Sequence, residues 1–158
     1  MKRVAIFPGS FDPFTIGHES LVIRALQLFD KVVIAVAHNA QKKGMFSVEA
    51  RMAMIQKTFE GDDRVEVDSF EGLTVDYCHR RNIYFLIRGL RTSADFEYER
   101  SIGQVNKQME RKVETVFFLT STKFTPISST VVRDILANGG KARQFIPSKI
   151  NIDDYWDM

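Results

Sequence analysis

Gly9-Ser10-Phe11-Asp12-Pro13-Phe14-Thr15-Ile16-Gly17-His18 is the stretch that decides the fold, because the sequence pattern changes on either side of it. Before it, the apolar run Val4–Phe7 favours a buried strand, which Pro8 helps to end. After it, apolar residues recur at helical spacing between Leu21 and Phe29. The sequence therefore predicts a strand, a loop and a helix in succession, with His18 in the first turn of the helix.

The start of this helix is a predicted anion site. Free backbone N–H groups and the positive end of the helix dipole meet there. A histidine at that position can donate a hydrogen bond to a phosphate oxygen. The alternative is a structural histidine in the core. We favour the phosphate role because the polar residues Asp12, Thr15 and Glu19 flank His18 and suggest a polar pocket.

Length and composition describe an ordinary globular protein. The 158 residues predict one domain over 1–158, with a C-terminal helical tail over 137–158. Apolar residues make up 44%, charged residues 27%, and the net charge of +2 indicates neither a nucleic-acid nor a membrane surface. Cys78 is the only cysteine and is expected to be a small buried side chain. No apolar run approaches the roughly 20 residues of a membrane span, and no signal peptide is recognisable, so we expect a cytoplasmic protein.

Strand and helix patterns alternate along the whole chain. This order predicts an α/β fold with a doubly wound, Rossmann-like, five-stranded parallel sheet and helices on both faces. The expected strands are Val4–Phe7, Val32–Ala37, Val65–Asp68, Tyr84–Ile87 and Val116–Leu119. The third of these alternates apolar and polar residues and is expected nearer an edge. Helices are expected after Ser47 as N-cap, over Leu73–Arg81, over Ser93–Met109 and over Ser129–Asn138.

Ligands of such sheets bind beyond the carboxyl ends of the strands, so the loops there are the candidate functional segments. Lys42 lies in the loop after the second strand, where two adjacent lysines are as a rule only surface charge. Leu73 and Thr74 follow the third strand and read equally well as an ordinary helix start. Arg88 and Arg91 flank a glycine after the fourth strand. Arginine matches phosphate oxygens in paired hydrogen bonds, but an ion pair with Asp95 or Glu99 is about equally expected for either side chain alone.

Hydroxyl residues cluster before the last helix, at Ser128-Ser129-Thr130. One of them is needed as an N-cap. Three in succession exceed that need, and together with the helix amides they can hold a polyphosphate.

Four sequence blocks resemble a known family in the same order. Thr15-Ile16-Gly17-His18 resembles the T/H-x-G-H signature of the nucleotidyltransferase superfamily, and Ile127-Ser-Ser-Thr-Val-Val-Arg133 resembles its I-S-S-T/S-x-x-R signature. Ile87-Arg-Gly-Leu-Arg-Thr-Ser-Ala-Asp-Phe-Glu-Tyr-Glu99 resembles a longer block of the bacterial phosphopantetheine adenylyltransferases, and the loop with Lys42 is similar to their phosphate-binding loop. The resemblance covers roughly Val4 to Arg133.

The resemblance implies roles for individual residues. It implies that His18 stabilises the transition state and that Lys42 and Arg88 share in catalysis, with no protein ligands for a metal. For ATP it implies the set Ser10, Phe11, His18, Gly89, Leu90, Arg91, Glu99, Phe124, Thr125, Pro126, Ile127, Ser128, Ser129 and Thr130. For phosphopantetheine it implies the set Ser10, Lys42, Leu73, Thr74 and Arg88.

The resemblance also implies a reaction and partners. The family transfers AMP from ATP to 4′-phosphopantetheine by direct displacement, giving dephospho-coenzyme A and pyrophosphate in the penultimate step of coenzyme A synthesis. It implies Mg²⁺ bound with ATP, a homohexamer, and coenzyme A as a feedback inhibitor. Ser10 stands where threonine is common, Ile16 where asparagine is usual and Phe124 where tryptophan is frequent.

Two alternatives stay open at this point. Another small nucleotidyltransferase, acting on nicotinamide mononucleotide or glycerol 3-phosphate, would share the His18 and Ser128–Thr130 motifs. A non-catalytic nucleotide sensor would keep the phosphate site without needing Lys42 and Arg88. The tail with Tyr155 and Trp156 is expected either to pack on the body or to mediate a subunit contact.

Overall fold

A computed structural model describes residues 1–158. Its centre is a five-stranded sheet in the order β3-β2-β1-β4-β5, and every neighbouring pair is parallel. The strands are β1 Val4–Gly9, β2 Lys31–Ala37, β3 Val65–Phe70, β4 Phe85–Leu90 and β5 Glu114–Leu119. The predicted doubly wound parallel sheet is confirmed, and so is the edge position of β3.

Five α-helices connect or follow the strands: α1 Ile16–Ala25, α2 Val48–Thr58, α3 Thr74–Arg81, α4 Ser93–Met109 and α5 Ser129–Ala137. Ser47 caps α2, as predicted. The apolar periodicity continues to Phe29, but helix α1 ends at Ala25. Residues 26–28 form a turn, and Leu28 is 50% exposed. The predicted helical tail is mostly irregular: after α5 it has only two short 3-10 turns, Arg143–Phe145 and Ile152–Tyr155. No helix combines the length and apolar character that crossing a membrane requires.

The continuous apolar run of β2 is explained by burial on both faces of the sheet. Val32, Ile34 and Val36 belong to one core cluster, which includes residues of α1 and α2. Val33 and Ala35 point to the opposite cluster, which includes Cys78 of α3 and confirms its predicted burial. Successive side chains of a strand point to opposite faces, so each of these residues fills one of two cores.

A third apolar cluster fixes the C-terminal tail on the body. Its buried members come from the loop before α2, from α2 itself, from α5 and from the tail: Phe46, Ala50, Met54, Val132, Ala142, Ile146 and Ile150. Tyr155 packs against the same cluster. The tail therefore packs on the body of its own chain, one of the two expectations from the sequence.

The strand order reverses at β1, which lies between β2 and β4. Connections from the two neighbours leave on opposite sides there, so a crevice opens beyond the carboxyl ends of β1 and β4. The loops with Ser10 and Arg91 both start at this point.

Candidate active site

A cavity of about 440 Å³ lies beyond the carboxyl ends of β1 and β4. Most of its lining was anticipated from the sequence: Ser10, His18, Arg88, Gly89, Arg91, Phe124, Ile127, Ser128, Ser129 and Thr130. The sequence did not single out Phe7, Leu21 and Thr120, which also line it. The structure therefore brings three separated segments of the chain, 7–21, 88–91 and 120–130, to one cavity.

The loop after β1 is held in place by side chains that lie far away in sequence. Arg133 donates to the carbonyl oxygen of Asp12 at 2.7 Å, and Ser129 donates to that of Pro13 at 2.8 Å. Arg51 donates to the carbonyl oxygen of Ser10 at 2.9 Å. Helices α2 and α5 thus fix the loop that precedes His18.

His18 is the third residue of α1 and forms a capping box with Thr15. The backbone N–H of Thr15 donates to His18 Nδ1 at 3.0 Å. Since Nδ1 accepts a hydrogen bond, the proton of the neutral ring is on Nε2. Burial, and then the positive charges of Arg88 and Arg91, lower the pKa of His18 to about 3. His18 is therefore a neutral hydrogen-bond donor at physiological pH.

Three phenylalanine rings orient the imidazole. The centroids of Phe7, Phe11 and Phe14 lie 6.1, 5.0 and 5.2 Å from that of His18. Phe11 has a φ of 49°, a conformation that side chains seldom adopt. A Cβ on Gly9 would lie 2.9 Å from Cζ of the Phe11 ring, so only glycine leaves room for this ring position.

The polar residues that flank His18 have structural partners. The Asp12 carboxylate is 6% exposed and accepts hydrogen bonds from the backbone N–H groups of Met45 and Phe46, at 2.8 and 2.9 Å. Thr15 is buried and caps α1. Asp12 therefore has a structural role and lines neither cavity that the predicted site residues share, whereas Thr15 lines the larger cavity beside His18, as its polar character suggested.

Arg88 makes an ion pair with Glu99. Its Nε and Nη2 donate to the two carboxylate oxygens of Glu99 at 2.8 and 2.6 Å, and Nη1 donates to the carbonyl oxygen of Pro8 at 2.7 Å. Both carboxylates considered from the sequence are therefore paired: Glu99 with Arg88, and Asp95 with Arg91, whose Nε lies 3.6 Å from Asp95 Oδ2. These three bonds use three of the five guanidinium N–H donors, so two remain for a ligand.

A second cavity, of about 200 Å³, shares Arg88 with the first. Thr74 and Glu99 also line it, together with Asn106. Glu99, which the resemblance implied to lie on the nucleotide side, lines this second cavity, and its carboxylate is bound to Arg88 between the two cavities. Asn106 was missed because no local pattern distinguishes it from the other polar residues of α4.

The hydroxyl cluster before α5 is engaged within the protein. Ser128 is the N-cap and accepts from the N–H of Val131 at 3.2 Å. Ser129 holds the loop after β1, and Thr130 accepts from Arg133 at 3.2 Å. All three residues nevertheless line the larger cavity.

Several predicted site residues lie outside both cavities. Lys42 is on an exposed turn, where its backbone N–H donates to the carbonyl oxygen of Asn39 at 3.0 Å. Leu73 is 54% exposed. The remaining members of the implied ATP set that line neither cavity are Phe11, Leu90, Thr125 and Pro126.

Comparison with known proteins shows the family to which this chain is similar in sequence. Residues 6–135 match the family described as cytidylyltransferase-like. A phosphopantetheine adenylyltransferase of Cytophaga hutchinsonii is 50% identical over 150 residues, which cover 95% of this chain and 100% of the relative. Another, of Flavobacterium johnsoniae, is 46% identical over 150 residues, covering 95% of this chain and 98% of the relative.

Solved structures support the fold. A bifunctional NMN adenylyltransferase/ADP ribose pyrophosphatase from Francisella tularensis superimposes with a TM-score of 0.70 at 22% identity, covering 95% of this chain and 46% of that chain. This chain spans about half the length of that bifunctional protein, so the likeness concerns the sheet and its helices alone. On the combined grounds of site geometry and sequence identity over nearly its full length, the protein belongs to the phosphopantetheine adenylyltransferase family of nucleotidyltransferases.

Proposed function

We propose that the protein transfers the adenylyl group of ATP to 4′-phosphopantetheine, forming dephospho-coenzyme A and pyrophosphate. One observation carries the assignment: Arg88 lies in the wall between two adjoining cavities, and His18 faces the larger one. Two phosphorylated substrates in these cavities would meet at the guanidinium. The protein therefore acts in the penultimate step of coenzyme A synthesis.

The reaction is a single in-line displacement. A phosphate oxygen of phosphopantetheine attacks the α-phosphorus of ATP, and the bond from that phosphorus to the bridging oxygen of pyrophosphate breaks. The attacking oxygen is already anionic, so no strong general base is needed. Catalysis then consists of positioning the substrates and stabilising negative charge.

Each donor at the cavity has a proposed task in this step. His18 donates from Nε2 to an α-phosphate oxygen, where charge shifts in the transition state. The Ser128 hydroxyl and the free backbone N–H groups at the start of α5 hold the β- and γ-phosphates, with Arg91 beside them. The two free donors of Arg88 bind the phosphate of phosphopantetheine.

Lys42 completes the acceptor side of the proposed site. Its ammonium group is a compact charge on a flexible four-carbon stem, which suits a residue that reaches a phosphate from an exposed turn. Thr74 and Asn106 line the second cavity and would contact the pantetheine arm. Ser10 lines the larger cavity, near the junction of the two substrates.

We further propose that Mg²⁺ enters with ATP. The chain has no group of three or more His, Cys, Asp or Glu side chains placed to hold a metal ion. The cavity presents hydroxyls and cations, which leaves phosphate oxygens and water as the metal's ligands, the kind it commonly keeps. When bound, the ion neutralises charge on the departing pyrophosphate.

Assembly and regulation are proposed from kinship and from one surface feature. Helix α4 exposes an apolar stripe of Tyr98, Ile102, Val105 and Met109, which are 36–68% exposed. Such a stripe is typical of a subunit contact and supports a homohexamer. Cytoplasmic location and feedback inhibition by coenzyme A stay predictions.

A pyrophosphate-release assay tests the function. ATP is supplied with phosphopantetheine, nicotinamide mononucleotide or glycerol 3-phosphate in turn. We expect release with phosphopantetheine, together with dephospho-coenzyme A as product. Release only with another acceptor would identify a different nucleotidyltransferase, and ATP binding without release would indicate a sensor.

A further inference from the structure

Trp156, the only tryptophan of the chain, has no part in the mechanism above. Its indole stacks on the ring of Phe46, with centroids 4.4 Å apart and 28° between the planes. Phe46 is 2% exposed and Trp156 is 44% exposed. The indole therefore covers the phenyl ring on its solvent side.

The backbone of Phe46 is held by two buried charged residues. Its N–H donates to Asp12 Oδ1 at 2.9 Å, and its carbonyl oxygen accepts from Arg51 Nε at 3.1 Å. Arg51 also binds the carbonyl oxygen of Ser10 at 2.9 Å. Asp12 and Arg51 are each 6% exposed. Phe46 is thus attached directly to the loop that borders the ATP cavity.

The position of the indole is set by the tail. Ile146 and Ile150 are 4% exposed, and Ile152 packs against the same apolar cluster. The indole N–H lies 3.4 Å from Asp153 Oδ1, to which it donates. Packing of the tail on α2 and α5 therefore presents Trp156 to Phe46.

The segment with Lys42 lies between two fixed points, the end of β2 in the sheet and Phe46 under the indole. Residues 38–45 run from the end of β2 at Ala37 to Phe46, and Lys42 lies near the middle. A segment fixed at both ends samples fewer conformations than one fixed at a single end. Loosening Phe46 would consequently spread Lys42 over more positions.

We propose that Trp156 is a positioning residue for the acceptor substrate: by covering Phe46 it limits the positions of the segment 38–45 and thus of Lys42, to which the proposed function gives the phosphate of phosphopantetheine. The identity of that substrate rests on the proposed function. Trp156 acts through Phe46 and does not touch the reacting groups, so its loss should affect the acceptor more than ATP.

The structural part of the proposal is tested without turnover, by hydrogen exchange on the full chain. Trp156→Ala should speed exchange of the amides of residues 38–46 and leave those of β1 and β4 unchanged. Trp156→Phe keeps an aromatic ring and should restore slow exchange. Met158→Ala removes a half-exposed apolar side chain of the same tail and serves as control. Unchanged exchange at 38–46, or faster exchange throughout the chain, would overturn the proposal.

The functional part is tested by steady-state kinetics with both substrates. Trp156→Ala should raise the KM for phosphopantetheine about threefold to tenfold, the factor that corresponds to loss of one aromatic pair. The KM for ATP should change less than twofold, and Trp156→Phe should recover most of the loss. Equal changes in both KM values would refute the positioning role. An unmodified protein that makes no dephospho-coenzyme A would refute the proposed function instead, and the exchange result would still decide the role of Trp156 at Phe46.

Discussion

At the residue scale, His18 depends on its neighbours for its protonation state as much as for its position. The Thr15 N–H occupies Nδ1, and burial with two nearby arginines keeps the ring neutral. The only proton of the ring is then on Nε2, the atom free to bind a phosphate. A charged imidazole would attract a phosphate more strongly, but its positive charge would be repelled by those of Arg88 and Arg91.

His18→Ala should lower kcat by about 10²–10³-fold, the usual effect of removing one preorganised donor. His18→Asn is the matched variant, because its side-chain oxygen can replace Nδ1 as acceptor for Thr15 while no group replaces Nε2. We expect both variants to lose rate, and Asn to keep more stability. Single-turnover measurement of dephospho-coenzyme A formation checks this. A loss below threefold, with chemistry rate-limiting, would remove His18 from the proposed role.

The low pKa of His18 also predicts how stability changes with pH. The unfolded chain protonates this residue near pH 6.5, whereas the folded protein does so only at about 3. The unfolded state therefore binds more protons between these values, and His18 makes the protein less stable as pH falls from 6.5 towards 3. Denaturant titrations at several pH values should show that His18→Asn has a flatter dependence in this window. Parallel curves for the two proteins would contradict the assignment.

At the scale of elements, β4 and α4 together supply the acceptor cation. Glu99 of α4 holds Arg88 of β4 through two hydrogen bonds, and the Pro8 carbonyl at β1 holds it through a third. Such bidentate pairing fixes the plane of the guanidinium, which a lysine cannot reproduce. In the sequence analysis this ion pair was an alternative to phosphate binding. In the structure it orients the Arg88 guanidinium, which suits that group to bind a phosphate.

Arg88→Ala should raise the KM for phosphopantetheine about 10- to 100-fold, the range for losing a charged hydrogen bond, and affect ATP less. Arg88→Lys should recover little of this. Glu99→Gln keeps the shape of the partner and should show a smaller effect of the same kind. Isothermal titration calorimetry measures the Kd of each substrate separately and shows which of the two is bound more weakly. Equal weakening of ATP and phosphopantetheine would count against the assignment of Arg88 to the acceptor.

The sequence was informative about elements because their patterns are local. The apolar run Val4–Phe7 and the cap at Ser47 each depend on a few adjacent residues, and both were found in the structure. The end of the first strand was predicted wrongly, because β1 continues through Pro8 to Gly9, where it still pairs with β2. The contacts of Asp12 and Arg51 were not predictable, since their partners lie 33–41 residues away. Only the folded chain shows that Asp12 joins two loops and that Glu99 lines the second cavity.

At the scale of the whole molecule, the sheet and the tail leave the apolar stripe of α4 uncovered. The three core clusters account for both faces of the sheet and for the packing of the tail. The stripe on α4 has no cover within the chain, and Val105 in it is 52% exposed. Asn106 and Glu99, on the same helix, line the second cavity. Assembly through α4 would therefore bury a surface next to the acceptor site.

Val105→Glu should accordingly disrupt the proposed hexamer, because a subunit contact would have to bury an unpaired carboxylate. Light scattering coupled to size exclusion should show a smaller species, with the monomer fold retained by circular dichroism. Gln104→Glu introduces the same charge at an exposed position beside the stripe and should leave the assembly intact. If both variants keep the mass of the unmodified protein, α4 is not the contact. If the smaller species also binds phosphopantetheine more weakly while binding ATP equally well, the contact supports the acceptor cavity as well as the assembly.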